Sequence, residues 1–146
     1  MTETFHIVFM GLGSNMGNRE ENLERAVRLI GERVGRVAAV SSCYVSEPWG
    51  FESENTFLNA AVKVHTPLTP RQCLDATRQI ENMMGRTKKS TDGGYCDRII
   101  DIDLLLYDDI HVSEPDLVIP HPHMRERDFV MKPLRELGVQ VFVAGT

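Results

Sequence analysis

The chain's hydrophobic positions switch between a period of two and a period near 3.6, and the switches mark the elements. Residues 5–10 form a short apolar run that ends in Gly11-Leu12-Gly13-Ser14-Asn15, the pattern of a buried strand entering a loop, with the glycines serving a tight turn. Leu23, Ala26, Val27, Ile30 and Val34 then recur at helical spacing. Asn18 with Glu21 three residues later supplies a capping-box start, and Gly35 a stop. Residues 37–45 predict a second strand, blurred by Ser41 and Ser42, and Pro48 and Gly50 mark a loop after it. Residues 57–65 alternate cleanly: Leu58, Ala60, Val62 and Val64 share one face, and Phe57, Asn59, Ala61, Lys63 and His65 the other. Thr69-Pro70 is an N-cap with a first-turn proline, opening a helix of Leu74, Thr77, Ile80 and Met84 that ends near Gly85.

Residues 86–97 are polar, with Lys88-Lys89 and Gly93-Gly94, and predict a mobile loop. Residues 98–107 predict a strand with Ile100, Ile102, Leu104 and Leu106 on one face and Ile99, Asp101, Asp103, Leu105 and Tyr107 on the other. A short pairing strand at 110–112 follows an Asp108-Asp109 turn, and residues 124–137 predict a helix limited or kinked by Pro133. The order is β-α-β-β-α-β with a C-terminal extension. An α+β, ferredoxin-like sheet with helices packed on it satisfies this order, as a single domain over residues 1–146. That fold hosts many functions and does not choose among them.

Composition narrows the classes. With 146 residues, 42% hydrophobic and 25% charged, the chain has a core-forming globular composition. No stretch approaches the ~18 apolar residues of a membrane span. Glu3 stands where a signal peptide carries positive charge, so secretion is not expected. Cys43, Cys73 and Cys96 are odd in number and widely spaced, which suits free thiols in a cytoplasmic protein better than disulfides or a structural zinc site. No coiled-coil seam is present, and a monomer is the default expectation. The net charge of −5 disfavours binding along a nucleic-acid backbone. Yet Arg78, Arg86, Lys88, Lys89 and Arg98 face only Glu81, Asp92 and Asp97 within the same stretch, a balance that points to a small anion.

The sharpest chemical feature is Asp101-Ile102-Asp103 inside an apolar strand. Period-two geometry puts both carboxylates on one face, about 6–7 Å apart along the chain. Such a pair is either the solvated face of an edge strand or a hard-cation site; Mg²⁺ takes one or two carboxylates and fills its shell with water and phosphate oxygens. The flanking Ile99, Ile100, Leu104, Leu105 and Leu106 favour the cation site. Arg86, Lys88, Lys89 and Arg98, entering this strand, complement it as polyphosphate contacts. There is no Walker A loop. His121 and His123 beside Arg125 and Arg127 fit phosphate contacts better than metal ligands, with plain surface hydrogen bonding the alternative. Phe57 and Asn59 are either packing or an aromatic platform and amide readout for a flat heterocycle, and Trp49 is equally open.

Taken together and in order, several motifs resemble one family. These are Gly13-Ser14-Asn15, Phe57-Leu58-Asn59-Ala60-Ala61, Ile80-Glu81 followed by Gly85-Arg86, and Arg98-x-x-Asp101-Ile102-Asp103-Leu104, then Ile119-Pro120-His121-Pro122-His123-Met124-x-x-Arg127-x-Phe129-Val130. Over residues ~5 to ~137 the chain is similar to the 6-hydroxymethyl-7,8-dihydropterin pyrophosphokinases of folate biosynthesis. The resemblance implies pyrophosphate transfer from ATP, the co-substrate, to the pterin hydroxymethyl group, with release of AMP. It implies that Asp101 and Asp103 hold two Mg²⁺ ions, that Arg86, Lys88, Arg98, His121 and Arg127 contact ATP, and that Glu81 lies near the nucleotide. Arg86 and Arg98 join the two aspartates as catalytic groups. The pterin would lie between Phe129 and Tyr95, with Asn59 on its edge, Phe57 lining the pocket, Ser46 to Trp49 completing it, and Asp101 near the hydroxymethyl group.

The chain departs from the family pattern in places. Tyr95-Cys96-Asp97-Arg98 stands where Trp-Gly-Pro-Arg is common, a mid-loop arginine is missing, and the end at Thr146 implies no final helix. Two other classes share the element order. An RNA-binding module would want an aromatic pattern on a central strand and a basic surface, and a small hydrolase would need an activated water and no pterin pocket.

Overall fold

A computed structural model of the chain describes residues 5–47, 56–85 and 99–138. The first strand, β1 (His6–Ser14), runs straight through the Gly-Leu-Gly segment that the sequence pattern assigns to a turn. Helix α1 (Arg19–Arg33) begins where Asn18 accepts a hydrogen bond from the Glu21 N–H, and it buries Leu23, Ala26 and Ile30. It stops before Gly35, where a side chain would collide with the His65 carbonyl, 2.2 Å from an added Cβ. The expected second strand divides into β2 (Arg36–Val40) and β3 (Tyr44–Ser46). Strand β4 (Phe57–Thr66) and helix α2 (Pro70–Met83) follow, the helix closed by a reciprocal Thr69–Gln72 capping box with Pro70 at its start.

Strand β5 (Asp101–Tyr107) pairs with β1, giving the sheet order β2-β4-β1-β5 with β3 also on β4, all pairs antiparallel. This is the ferredoxin-like arrangement. Alternation on β5 holds for Asp101 to Leu104 and then breaks: Phe9 pairs Leu106 while Met10 pairs Leu104, so Leu105 is an extra residue. The bulge moves Tyr107 into the main core, against the sequence expectation, and puts Leu105 and Leu106 together on the other face. The expected strand at 110–112 is instead part of a separate hairpin of β6 (Val112–Glu114) and β7 (Leu117–Ile119). The C-terminal helix also divides, into a 3₁₀ turn at Met124–Glu126 and α3 (Asp128–Glu136), which continues through Pro133 for its last turn. Arg127 between them is extended, which ends one element and starts the next.

Two cores result. Helices α1 and α2 pack on one face of the sheet over Val8, Met10, Leu12, Leu58, Val62, Val64, Ile102 and Leu104. Helix α3 covers part of the opposite face with Val130, Met131 and Leu134 against Ala61 and Leu105. Among the described residues no element covers the rest of that second face, and the candidate site lies there. Among the described residues no helix is long and apolar enough to cross a membrane, and Cys43 and Cys73 are free thiols.

Candidate active site

Four strands place their residues in rows across the open face. Asp101 stands opposite Gly13, Gly13 opposite Asn59, and Asn59 opposite Tyr44. The next row is Asp103, Gly11 and Ala61. Directly opposed residues of antiparallel strands point to the same side of the sheet. Carboxylates therefore occupy one edge of the face and an amide the other, with only glycine hydrogens between. That floor has no spare room. A Cβ at Gly13 would sit 3.2 Å from Asn59 Oδ1 and 3.4 Å from Phe57 Cδ1, and one at Gly11 would sit 3.3 Å from Leu105 Cδ1. These glycines belong to a close-approach surface, as interior strand glycines commonly do.

Above the rows lies an open cleft. Phe57, Asn59, Ser46 and Glu47 line one side, Asp101 and Asp103 the other, and Arg127, Phe129 and Val130 come from the start of α3. Asn59 is almost fully buried and its amide orientation is set. Its NH₂ group donates to the Tyr44 carbonyl at 3.0 Å and to Ser46 Oγ at 2.8 Å. With both N–H bonds used, the side-chain carbonyl faces the floor beside Gly13 as an acceptor for a ligand that presents donors. Arg127 is also buried, and its guanidinium lies 5.7 Å from the Phe129 ring centroid, within cation–π range.

A second groove runs along the outer side of β5, between α2 and the β6–β7 hairpin. Leu74, Ile102, Leu104, Leu117 and His121 line it, and so does Asp103. Asp103 thus borders both clefts. The hairpin is tied to α2 by Arg71, which bonds Glu114 and, at 2.8 Å, Asp116; Arg78 lies 3.7 Å from the same Asp116 oxygen. The arginine beside Asp116 holds its carboxyl below the usual carboxylate range. His121 is pushed down to about 4 by burial and by the nearby Arg127 and His123, with Asp101 pulling weakly the other way. Its Nδ1 lies 3.3 Å from the His123 N–H and accepts from it, so the neutral ring carries its proton on Nε2.

Glu81, expected beside the nucleotide, is buried with its carboxylate turned to the strand backbone: Oε2 accepts from the Ile102 N–H at 2.8 Å. Among the described residues β5 is the sheet's edge, and on this side the N–H has no neighbouring strand to bond. Glu81 anchors the segment between the two aspartates. His123 and Arg125 are exposed, His123 within 3.3 Å of Glu126, and neither joins a cleft with Asp101. Trp49, Arg86, Lys88, Lys89, Tyr95 and Arg98 lie outside the described residues. Sequence reasoning missed Gly11, Gly13, Leu105 and the second groove. The sequence offers for the glycines a Gly-x-Gly after an apolar run, a pattern shared by strands and turns.

Among the described residues no group of three or more His, Cys, Asp or Glu side chains converges on one point. Two half-buried carboxylates on one strand face suit a hard cation that takes the rest of its shell from water and a substrate. They do not suit a closed structural metal site.

The fold is α+β, and its paired carboxylates stand where two clefts meet, an arrangement suited to a cation-assisted transfer between two bound groups. Residues 9–139 match the family model described as 7,8-dihydro-6-hydroxymethylpterin-pyrophosphokinase (HPPK), and the chain belongs to that family. It is a pyrophosphokinase, a transferase of folate biosynthesis. It is 47% identical over 133 residues to the 2-amino-4-hydroxy-6-hydroxymethyldihydropteridine pyrophosphokinase of Porphyromonas gingivalis, covering 90% of each chain. It is 42% identical over 137 residues to the enzyme of that name from Bacillus subtilis, covering 93% of this chain and 80% of the other. A solved Plasmodium falciparum HPPK-DHPS shares the fold, with a TM-score of 0.75 at 18% identity over 93% of this chain; the match spans 42% of that longer chain. The RNA-module and hydrolase readings give way to the family.

Proposed function

We propose that the chain transfers pyrophosphate from ATP to 6-hydroxymethyl-7,8-dihydropterin, giving the pterin diphosphate and AMP. One observation carries the reading: Asp103 borders both clefts, so groups held in each meet at the carboxylate pair. The pterin fits the first cleft. From Asn59 to Asp101 is two strand spacings, about 9–10 Å. A flat bicycle lying across Gly13, with its amino edge on Asn59 Oδ1, brings its far substituent beside Asp101. Phe57 and Phe129 supply apolar and aromatic walls, and Tyr95 and Trp49 are assigned to the same pocket from the family resemblance.

ATP takes the second groove, its base among Leu74, Leu104 and Leu117 and its phosphates toward Asp103 and Arg127. His121 stays neutral there and offers Nε2–H as a donor. Arg86, Lys88 and Arg98 are assigned to the phosphates by resemblance. Asp101 and Asp103 would hold two Mg²⁺ ions, which neutralise phosphate charge and polarise the phosphorus under attack when bound. The hydroxymethyl oxygen bonds to the β-phosphorus, the bond from that phosphorus to the α,β-bridging oxygen breaks, AMP leaves with the bridging oxygen, and the alcohol proton passes to solvent water. The work of the protein is alignment and charge neutralisation, with no covalent enzyme intermediate. The reading includes a single domain over residues 1–146, acting as a monomer in the cytoplasm on small molecules alone.

The test is an ATP and Mg²⁺ assay, with and without the pterin alcohol, that resolves AMP from ADP. AMP formed only with the pterin supports the proposal; ADP as product, or nucleotide turnover indifferent to the pterin, overturns it.

A further inference from the structure

We infer that Glu136, at the far end of α3 and outside both clefts, is a positioning residue for the pterin pocket. The inference rests on the reading of the first cleft given above. Glu136 Oε2 accepts from the Ser42 N–H at 2.6 Å and from Ser42 Oγ at 3.1 Å, and Oε1 accepts from the Tyr44 hydroxyl at 2.6 Å. One carboxylate therefore ties the C-terminal turn of α3 to the chain just before and within β3. These donors hold its carboxyl below the usual carboxylate range, the Tyr44 hydroxyl first among them.

Both partners of this tie lead to the pocket. Tyr44 is the residue whose carbonyl receives the Asn59 amide, and Ser46, two residues on, receives its other N–H. Ser42 follows Ser41, whose hydroxyl accepts from the Ala61 N–H and whose own N–H donates to the Ala61 carbonyl, both at the floor of the cleft. On the helix side, Phe129 lies seven residues before Glu136, two turns along one face of α3, about 10 Å away. Glu136 thus spans the cleft's two walls: the β3 wall that orients Asn59 and the α3 wall that carries Phe129. Without the tie, β3 keeps its pairing with β4 and its bonds to Asn59, but its distance from α3 rests on the α3 packing alone.

The experiment measures binding of the pterin alcohol to the full chain by quenching of its fluorescence, with steady-state kinetics, for wild type, Glu136→Ala, Glu136→Gln and Tyr44→Phe. Loss of hydrogen bonds to a charged acceptor predicts a rise in pterin Kd and KM of about 10-fold for Glu136→Ala, with the KM for ATP unchanged. Gln keeps an acceptor oxygen and should restore most of the affinity, and Tyr44→Phe, which loses one bond, should fall between. A purely structural role would lower stability without splitting the two substrates. Should Glu136→Ala not fold, Tyr44→Phe decides. Wild-type pterin affinity in the folded variants overturns the inference. A wild-type chain that binds no pterin overturns the cleft reading, and this inference with it, a result distinguishable because it appears before any substitution is made.

Discussion

At Asp101 and Asp103 two like charges share one strand face, half-buried and opposite glycines. Like charges this close repel, so their mutual placement opposes folding and is relieved by a cation. Asp103→Asn or Asp101→Asn should leave a cooperative thermal transition while lowering kcat at least about 10²–10³-fold, the scale of losing one electrostatic contact to a transition state. Calorimetry and the AMP assay on the same samples check both halves; a variant that keeps its turnover removes the metal-pair assignment. Gly13 makes the complementary case. Its added Cβ falls 3.2 Å from Asn59 Oδ1, so Gly13→Ala must shift the acceptor or the Phe57 ring by a few tenths of an ångström. Crowding of about 1–3 kcal/mol predicts a pterin KM raised roughly 5- to 150-fold, with ATP use little affected. The aspartates were legible in the sequence because period two alone puts them together. The glycines were not, because a Gly-x-Gly after an apolar run reads equally well as a turn, and only the partner strands reveal it as a floor.

Helices were the most legible elements, since their caps and spacing are local. Asn18, Thr69 and Pro70 sit where the capping rules put them. The features that escaped depend on partners distant in the chain. The Leu105 bulge exists only relative to β1, and the β6–β7 hairpin is too short to carry an alternation signal. Glu81 belongs to the same class. It lies on α2 at helical spacing from Thr77, but its role is to satisfy an edge N–H on β5. Glu81→Ala leaves that buried donor without its acceptor, a cost of about 1–3 kcal/mol, and loosens the strand that carries both aspartates. Denaturant unfolding should show the stability loss, and amide exchange at Ile102 should accelerate more than at Val62 in the sheet interior. Equal acceleration at both positions would mean a global effect and no special tie to β5.

Across the whole molecule, the sheet separates labour: α1 and α2 build the larger core on one face, and the other is shared between α3 and the open cleft. Chemistry at the boundary of these layers leaves a mark on acid stability. His121 bridges β5 and the turn before α3; its backbone N–H donates to the Leu105 carbonyl at 3.0 Å, and its ring is held neutral with a pKa of about 4. In the unfolded chain the ring titrates near its ordinary 6.5. Between those values the unfolded state binds the extra proton, so stability rises with pH there. The contribution of His121 is complete above about 6.5, declines as the pH falls, and is exhausted below about 4. His121→Gln, neutral at every pH, should therefore lose less stability than the parent between pH 7 and pH 4.5 in denaturant titrations, although it starts lower at pH 7. The other histidines are common to both chains and cancel in the comparison. For the proposed ATP site the same neutrality has a consequence: a ring that is not protonated near pH 6.5 would meet a phosphate as a hydrogen-bond donor and not as a cation. An NMR titration of the His121 ring that finds its inflection near 6.5 would remove both the acid-stability effect and that role, leaving Arg127 as the described cation at the phosphate end of the cleft.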